Sequence, residues 1–323
     1  MTRSIAPLLA LLLLSACTAT SSEDQPKTDR SNIRIVAVTH GQSADPFWSV
    51  VANGITDAAD DLGVRVEYQA PTSFDMVRMS QLIDAAVASR PAALLVSVPD
   101  ADALGGAIRQ AVSAGIPVVS VNSGADAWQK LGVLAHIGQT EYEAGRAGGE
   151  KLAAAGARKL LCVNHEVGNL ALDERCRGNS DAARVAGGSA TVLSVNLADP
   201  ADAEQRIRNA LQRDTQLDGL LTLGPAGTSA ALAALRAVRP GRIIHFGTFD
   251  LGSDVLQALQ RNEMLFAIDQ QPYLQGYLGI TLLVKFLETG AIPGGQQVIR
   301  TGPGFVTREN ASQVARMIER GVR

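Results

Sequence analysis

The chain has 323 residues, a formal charge of −3, and 29 Lys and Arg against 32 Asp and Glu. That length suits two medium domains, and the lack of any Lys or Arg run argues against a nucleic-acid partner. The 4 His are scattered and no Cys-x-x-Cys occurs, so neither a metal nor another cofactor is expected.

The N-terminus sets the compartment. Arg3 precedes an apolar stretch, Ile5–Leu14, that is too short to span a bilayer and reads as the core of a secretory signal. Leu14-Ser15-Ala16-Cys17 looks like a bacterial lipobox. It implies a lipoprotein signal peptide over 1–16 and a lipid-modified Cys17; the alternative is an ordinary signal with an incidental Cys. Thr18–Ser31 is polar and nearly free of apolar residues, which predicts a tether over 17–31. No second apolar stretch reaches spanning length, so the protein is expected to be exported and held on the outer face of the cell membrane by lipid alone.

Beyond the tether, short runs of Val, Ile and Leu alternate with helical patterns. The first strand is Ile33–Thr39. A polar loop from His40 follows, and Asp45-Pro46 reads as a helix cap with Pro at the first helical position. Phe47, Val51, Ile55, Ala58 and Leu62 then mark one buried face, which Trp48 falls off. Val64–Tyr68, Ala93–Val98, Pro117–Val121 and Leu134–Ile137 are the next strands. The helices between them carry Met76, Met79, Ile83 and Ala86, then Leu104, Ile108 and Ala111, the latter capped by Asp100 or Asp102. Gly63 and Gly115 fit helix ends.

After Gly138-Gln139-Thr140 opens an Ala- and Gly-rich helix, the pattern restarts with strands at Lys159–Asn164, Thr191–Val195, Gly219–Leu223, Ile243–Phe246 and Leu265–Ile268. A helix over Tyr273–Glu288 and a strand-like Gln296–Arg300 close the series. Apolar strands alternating with helices predict an α/β fold of two doubly wound, Rossmann-like parallel-sheet domains. Cys162 lies late in a strand and Cys176 early in the next helix, so a disulfide is expected in an exported protein; two buried thiols are the alternative. Gly224–Ser229 and Thr301–Gly304 lack the Gly-Lys-Ser/Thr of a phosphate loop and read as turns.

Five motifs taken together resemble the type I periplasmic binding proteins, in their ribose-binding-like branch. They are the strand leading to Asp45-Pro46-Phe47-Trp48, Ile116–Ser123, Ala171–Gly178, Phe246–Asp250 and Ala267–Gly276. The resemblance covers Ile33 to about Phe305. It implies domain crossings near Gln139, Gln270 and Arg300–Gly302. The first domain would comprise 32–138 plus 271–300, and the second 139–270 plus 301–323, joined by a three-strand hinge.

The resemblance also implies ligand-binding roles for Asp45, Phe47, Trp48, Asn122, Ser123, Arg175, Asp250 and Gln270. Gln271 and Gln275 are second choices. Phe47 would also pack inward, His40 reads as a solvated loop residue with a place at the mouth of the cleft as the alternative, and Asp250 has an alternative role as a helix cap. Arg177, Asp173 and Glu174 read as a solvated helix start, and His165-Glu166 as a strand-end loop at the cleft. Ribose-like members commonly carry Asp-Arg where this chain has Asn122-Ser123, and Gly224–Gly227 replaces a family Asn. The first departure leans away from ribose and toward an acyclic or otherwise different polyol of four to six carbons; the second implies that one polar contact is lost or comes from backbone.

The function so implied is an extracytoplasmic solute-binding lipoprotein of an ABC importer. It would take a monosaccharide or small sugar alcohol to a membrane permease served by a separate ATPase, act as a monomer, and be no enzyme. A signalling receptor of the same fold and an extracellular sugar-acting enzyme are the alternatives. A repressor of this fold would need a basic helix-turn-helix where the signal and tether lie.

Overall fold

Twelve strands and ten helices follow one another through the residues that the computed structural model describes, 29–41, 45–293 and 297–323. The signal peptide, Cys17, most of the expected tether and Gln296 lie outside them. Among the described residues, no helix is long and apolar enough to cross a membrane.

The first half gives β1 (Arg34–Val38), α1 (Pro46–Leu62), β2 (Arg65–Gln69), α2 (Met76–Ala88), β3 (Ala93–Val96), α3 (Ala101–Ser113), β4 (Val118–Val121) and β5 (Ala135–Gly138). The second gives α4 (Glu141–Ala154), β6 (Lys159–Asn164), α5 (Leu170–Val185), β7 (Ser189–Ser194), α6 (Pro200–Arg213), β8 (Gly219–Thr222), α7 (Pro225–Val238), β9 (His245–Phe249), α8 (Ser253–Gln260) and β10 (Phe266–Asp269). The chain closes with α9 (Pro272–Thr289), β11 (Ile299–Arg300), β12 (Gly304–Val306) and α10 (Ala311–Glu319).

These strands form two six-stranded sheets, ordered β11-β5-β4-β3-β1-β2 and β12-β10-β9-β8-β6-β7. All pairs recorded are parallel except β10 with β12. The central strands β3, β4, β8 and β10 are buried at every position, as sheets covered by helices on both faces require. At the edges β2 and β7 are largely exposed or half-buried, so uniform apolarity holds only inside. In each sheet the strand order reverses beside β1 or β6, which opens a crevice at the carboxyl ends of the strands.

The helix punctuation has the chemistry expected of it. Asp45 accepts from the Phe47 amide, Gly63 ends α1 in the left-handed region, and Asp100 caps α3. Helix α9 packs Ile280, Leu283 and Val284 into the core of the first sheet, while α10 sends Ala311 and Val314 into that of the second. The tether expectation changes at its end: Arg30 holds Glu288 of α9 at 2.5 Å and donates to the carbonyl of Leu62. Ile243 is exposed, and the strand expected there starts two residues later.

Gly224–Ser229 is not a free turn. It is the start of α7, with Pro225 in the first turn, and it aims Thr228 Oγ1 at Thr222 and Thr248 at 2.8 and 2.7 Å.

Candidate functional site

The carboxyl ends of the two sheets face each other and touch at the lip, where the Leu170 amide donates to the carbonyl of Pro99 at 3.1 Å. Between them lies a small cavity lined by side chains from both domains.

The first domain contributes the entry to α1. Asp45 Oδ1 is fixed by the Phe47 amide at 2.9 Å, and the first helical turn presents both Phe47 and Trp48 to the cavity. Their rings meet edge-on at 5.0 Å. Trp48 can sit there because residue 41 is glycine: a Cβ at Gly41 would lie 1.9 Å from the indole ring. His40 meets Trp48 edge-on at 4.7 Å and is locked by Ser97 Oγ, which lies 2.7 Å from its Nδ1. The solvated loop expected for His40 is therefore wrong. Its ring is buried by Trp48, Phe74 and the approach of Asn169 from the second domain at 3.4 Å.

Asn122 and Asp250 occupy equivalent places, one residue beyond β4 and β9. Both take left-handed backbone, with φ of 63° and 65°. Asn and Asp tolerate this conformation better than other side chains. Gln270, at the crossing between β10 and α9, ties them together. Its Oε1 accepts from Asn122 Nδ2 at 3.1 Å, and its Nε2 donates to Asp250 Oδ1 at 2.8 Å. Gln275 Nε2 donates to the Gln270 carbonyl from behind at 3.1 Å. Ser123 does not line the cavity; it is buried and donates to Asn122 Oδ1 at 2.9 Å, fixing the amide instead. Gln271 serves the turn, with left-handed backbone at the start of α9. The cap role for Asp250 is excluded, because α8 begins at Ser253 behind Gly252, with no side-chain cap.

Arg175 enters from α5. Its backbone fits against α4 because residue 145 is glycine, where a Cβ would lie 2.0 Å from the Arg175 carbonyl oxygen. The guanidinium covers the Phe249 ring at 4.4 Å, reaches Gln270 Oε1 and the Leu223 carbonyl at 3.3 Å, and is held by Glu141 Oε2 at 2.5 Å. Glu141 is the residue that sequence reasoning missed. Its only outward sign is an acidic residue in the first turn of α4, which reads as ordinary helix chemistry. Leu223, Gly224 and Pro225 line the cavity where the resemblance implied an Asn. Arg177 and Glu174 pair with each other on the surface, and Asp173 accepts from Asn164 Nδ2. Behind the site Cys162 and Cys176 form a disulfide with a Cα–Cα distance of 5.7 Å.

Burial governs the electrostatics. It lowers His40 to about 3 and, with help from Arg175, His165 to about 4, so both rings are neutral. It raises Glu166 to about 7. It raises Asp250 to about 8, against the opposing pull of Arg175 and Gln270. Burial also works against the charge on Arg175, but Glu141 overrides it and the guanidinium stays ionised. His165 and Glu166 both line the cavity. Among the described residues no group of His, Cys, Asp and Glu has the arrangement of a metal site. A ring of fixed amide, carboxylate and guanidinium groups against aromatic faces can hold a small ligand rich in hydroxyls.

A family profile described as a periplasmic binding protein domain matches residues 35–291. A carbohydrate transporter from Acidothermus cellulolyticus 11B, solved in complex with myo-inositol, superposes with a TM-score of 0.85 at 35% identity, covering 90% of this chain and 99% of that one. The xylose/arabinose-binding protein XylF of Sulfolobus acidocaldarius is 25% identical over 292 residues, 86% of this chain and 71% of its own. The ribose import binding protein RbsB of Haemophilus influenzae is 26% identical over 254 residues, 76% of this chain and 82% of its own.

Proposed function

The chain belongs to the periplasmic binding protein domain family, and on that premise we propose that it is the lipid-anchored solute receptor of a sugar or polyol importer. The observation that carries this reading is the cluster of Asn122, Arg175, Asp250 and Gln270, buried between two facing sheets and walled by Phe47 and Trp48. The myo-inositol bound by the relative from Acidothermus cellulolyticus supports a six-carbon polyol as the ligand. Asn122 and Ser123 support the same reading, since a neutral pair stands where ribose-like members carry Asp-Arg.

Asp45, Phe47, Trp48 and Asn122 bind from the first domain, and Arg175 and Asp250 from the second. Gln270 at the hinge joins both sets. Contacts made only when both sides reach the ligand favour the closed arrangement, which is how binding drives hinge rotation. The closed form then docks on a membrane permease served by a separate ATPase, with Cys17 holding the receptor near the membrane by lipid.

Calorimetric titration against pentoses, hexoses and polyols of four to six carbons, including myo-inositol, tests the reading. A ligand should bind and change the fluorescence of Trp48, while Trp128, packed in the core of the first domain, stays silent. Asp250→Ala and Asn122→Ala should each weaken binding by about ten- to a hundredfold, as loss of a buried hydrogen-bond partner predicts. Unchanged affinity in both variants would place the ligand elsewhere.

A further inference from the structure

The cleft gathers more acidic side chains than a neutral ligand uses. Asp45, Glu166 and Asp250 reach the cavity from the cap of α1, the loop after β6 and the end of β9, and among the described residues Arg175 is the only Lys or Arg that lines it. That cation is already engaged by Glu141 at 2.5 Å. Asp250 has its own amide partner in Gln270. Asp45 and Glu166 differ from it in place. They come from opposite domains, and each lines both the inner cavity and the vestibule outside it. Two carboxyl groups from opposite domains therefore share the mouth, and Asp45 adds to the cost of ionising Glu166. The neighbouring rings, His40 and His165, are kept neutral by burial and supply no counter-charge. Glu166 Oε2 accepts from Asn169 at 2.7 Å, which aims the carboxylate without neutralising it.

We propose that the ligand is a hydroxylated six-membered ring bearing a primary amine, an aminocyclitol or amino sugar, whose ammonium group sits between Asp45 and Glu166 and neutralises them as the domains close. The inference rests on the cleft being the ligand site. The hydroxyls face Asn122, Asp250 and Gln270, and the amine faces the mouth. A sugar acid or sugar phosphate would add to the negative charge and is rejected.

The test is calorimetric titration of the exported protein with two matched pairs: myo-inositol against an aminodeoxy-inositol, and glucose against glucosamine. In at least one pair the amine should bind tighter by about ten- to a hundredfold, the range for a charge-assisted hydrogen bond. Glu166→Gln and Asp45→Asn keep the shape of each side chain, and Asn still caps α1. Each should reduce the ratio of amine to neutral affinity by about tenfold. Equal affinity within both pairs overturns the inference and leaves the cleft reading intact, as does a variant that weakens both members of a pair equally. Failure of all four compounds to bind overturns both.

Discussion

Glu141→Ala isolates the support beneath the cleft. Glu141 and Arg175 have side chains 7% and 3% exposed and meet at 2.5 Å. Without Glu141, the guanidinium stays buried over Phe249 with only the Leu223 carbonyl and the Gln270 amide oxygen as acceptors. Removing one member of a buried ion pair costs about 3–5 kcal/mol, because the remaining charge has lost its counter-charge. Loss of the acidic group from the first turn of α4 adds at most about 1 kcal/mol. Against a typical domain stability of roughly 5–15 kcal/mol, the second domain should unfold at clearly lower urea, followed by circular dichroism and linear extrapolation. Glu141→Leu combined with Arg175→Met removes both charges and should recover most of that stability, while ligand binding stays lost. A stability within about 0.5 kcal/mol of the parent for Glu141→Ala, the range of an ordinary surface change, would refute the reasoning. So would a double variant no more stable than the single one.

Three further outcomes are expected. Cys17→Ala should move the protein from the membrane fraction to the soluble exported fraction, and retention in the membrane would count against lipidation. Replacing Cys162 and Cys176 by Ala should lower stability by about 3 kcal/mol, the value for a loop near their separation of 14, and a free-thiol assay of the denatured, unreduced parent should find neither. Burial lifts the Asp250 carboxyl from 3.8 to about 8 in the ligand-free protein, so the folded state keeps a proton that the unfolded chain releases. Its contribution to stability is full below about pH 4 and is lost as pH rises toward about 8. Asp250→Asn should flatten that decline in Tm. The comparison with the parent cancels the opposite trend from His40 and His165, and identical slopes in the two proteins would be evidence against it.

The alternating architecture was legible because each central strand is a short apolar block and each helix shows its buried face. Lys159–Asn164 is a strand over the span its composition marks, and Phe47, Val51, Ile55 and Ala58 are buried together. What stayed hidden depends on contacts between distant parts of the chain. β12 is three residues long and pairs antiparallel with β10, and so short a strand has no period to read. His40 looked solvated because the ring and the domain that cover it are remote in sequence. Glu141 acts only through Arg175, 34 residues away. Trp48 lies off the stripe that Phe47 begins, yet both rings pack in the core and line the cavity, because the end of a helix has two neighbours, the sheet and the cleft.

The left-handed backbone at residues 122 and 250 sets how readily this receptor could change its ligand over evolutionary time. Only glycine, asparagine and aspartate adopt that conformation at little cost, so the alphabet at both positions is short. Exchanging amide for acid there alters the charge presented to the ligand while the strands behind it stay in place. A larger or smaller ligand must be accommodated elsewhere, by Phe47, Trp48 or the Leu223–Pro225 wall. Charge preference and ligand size thus lie on separate residues and can drift independently.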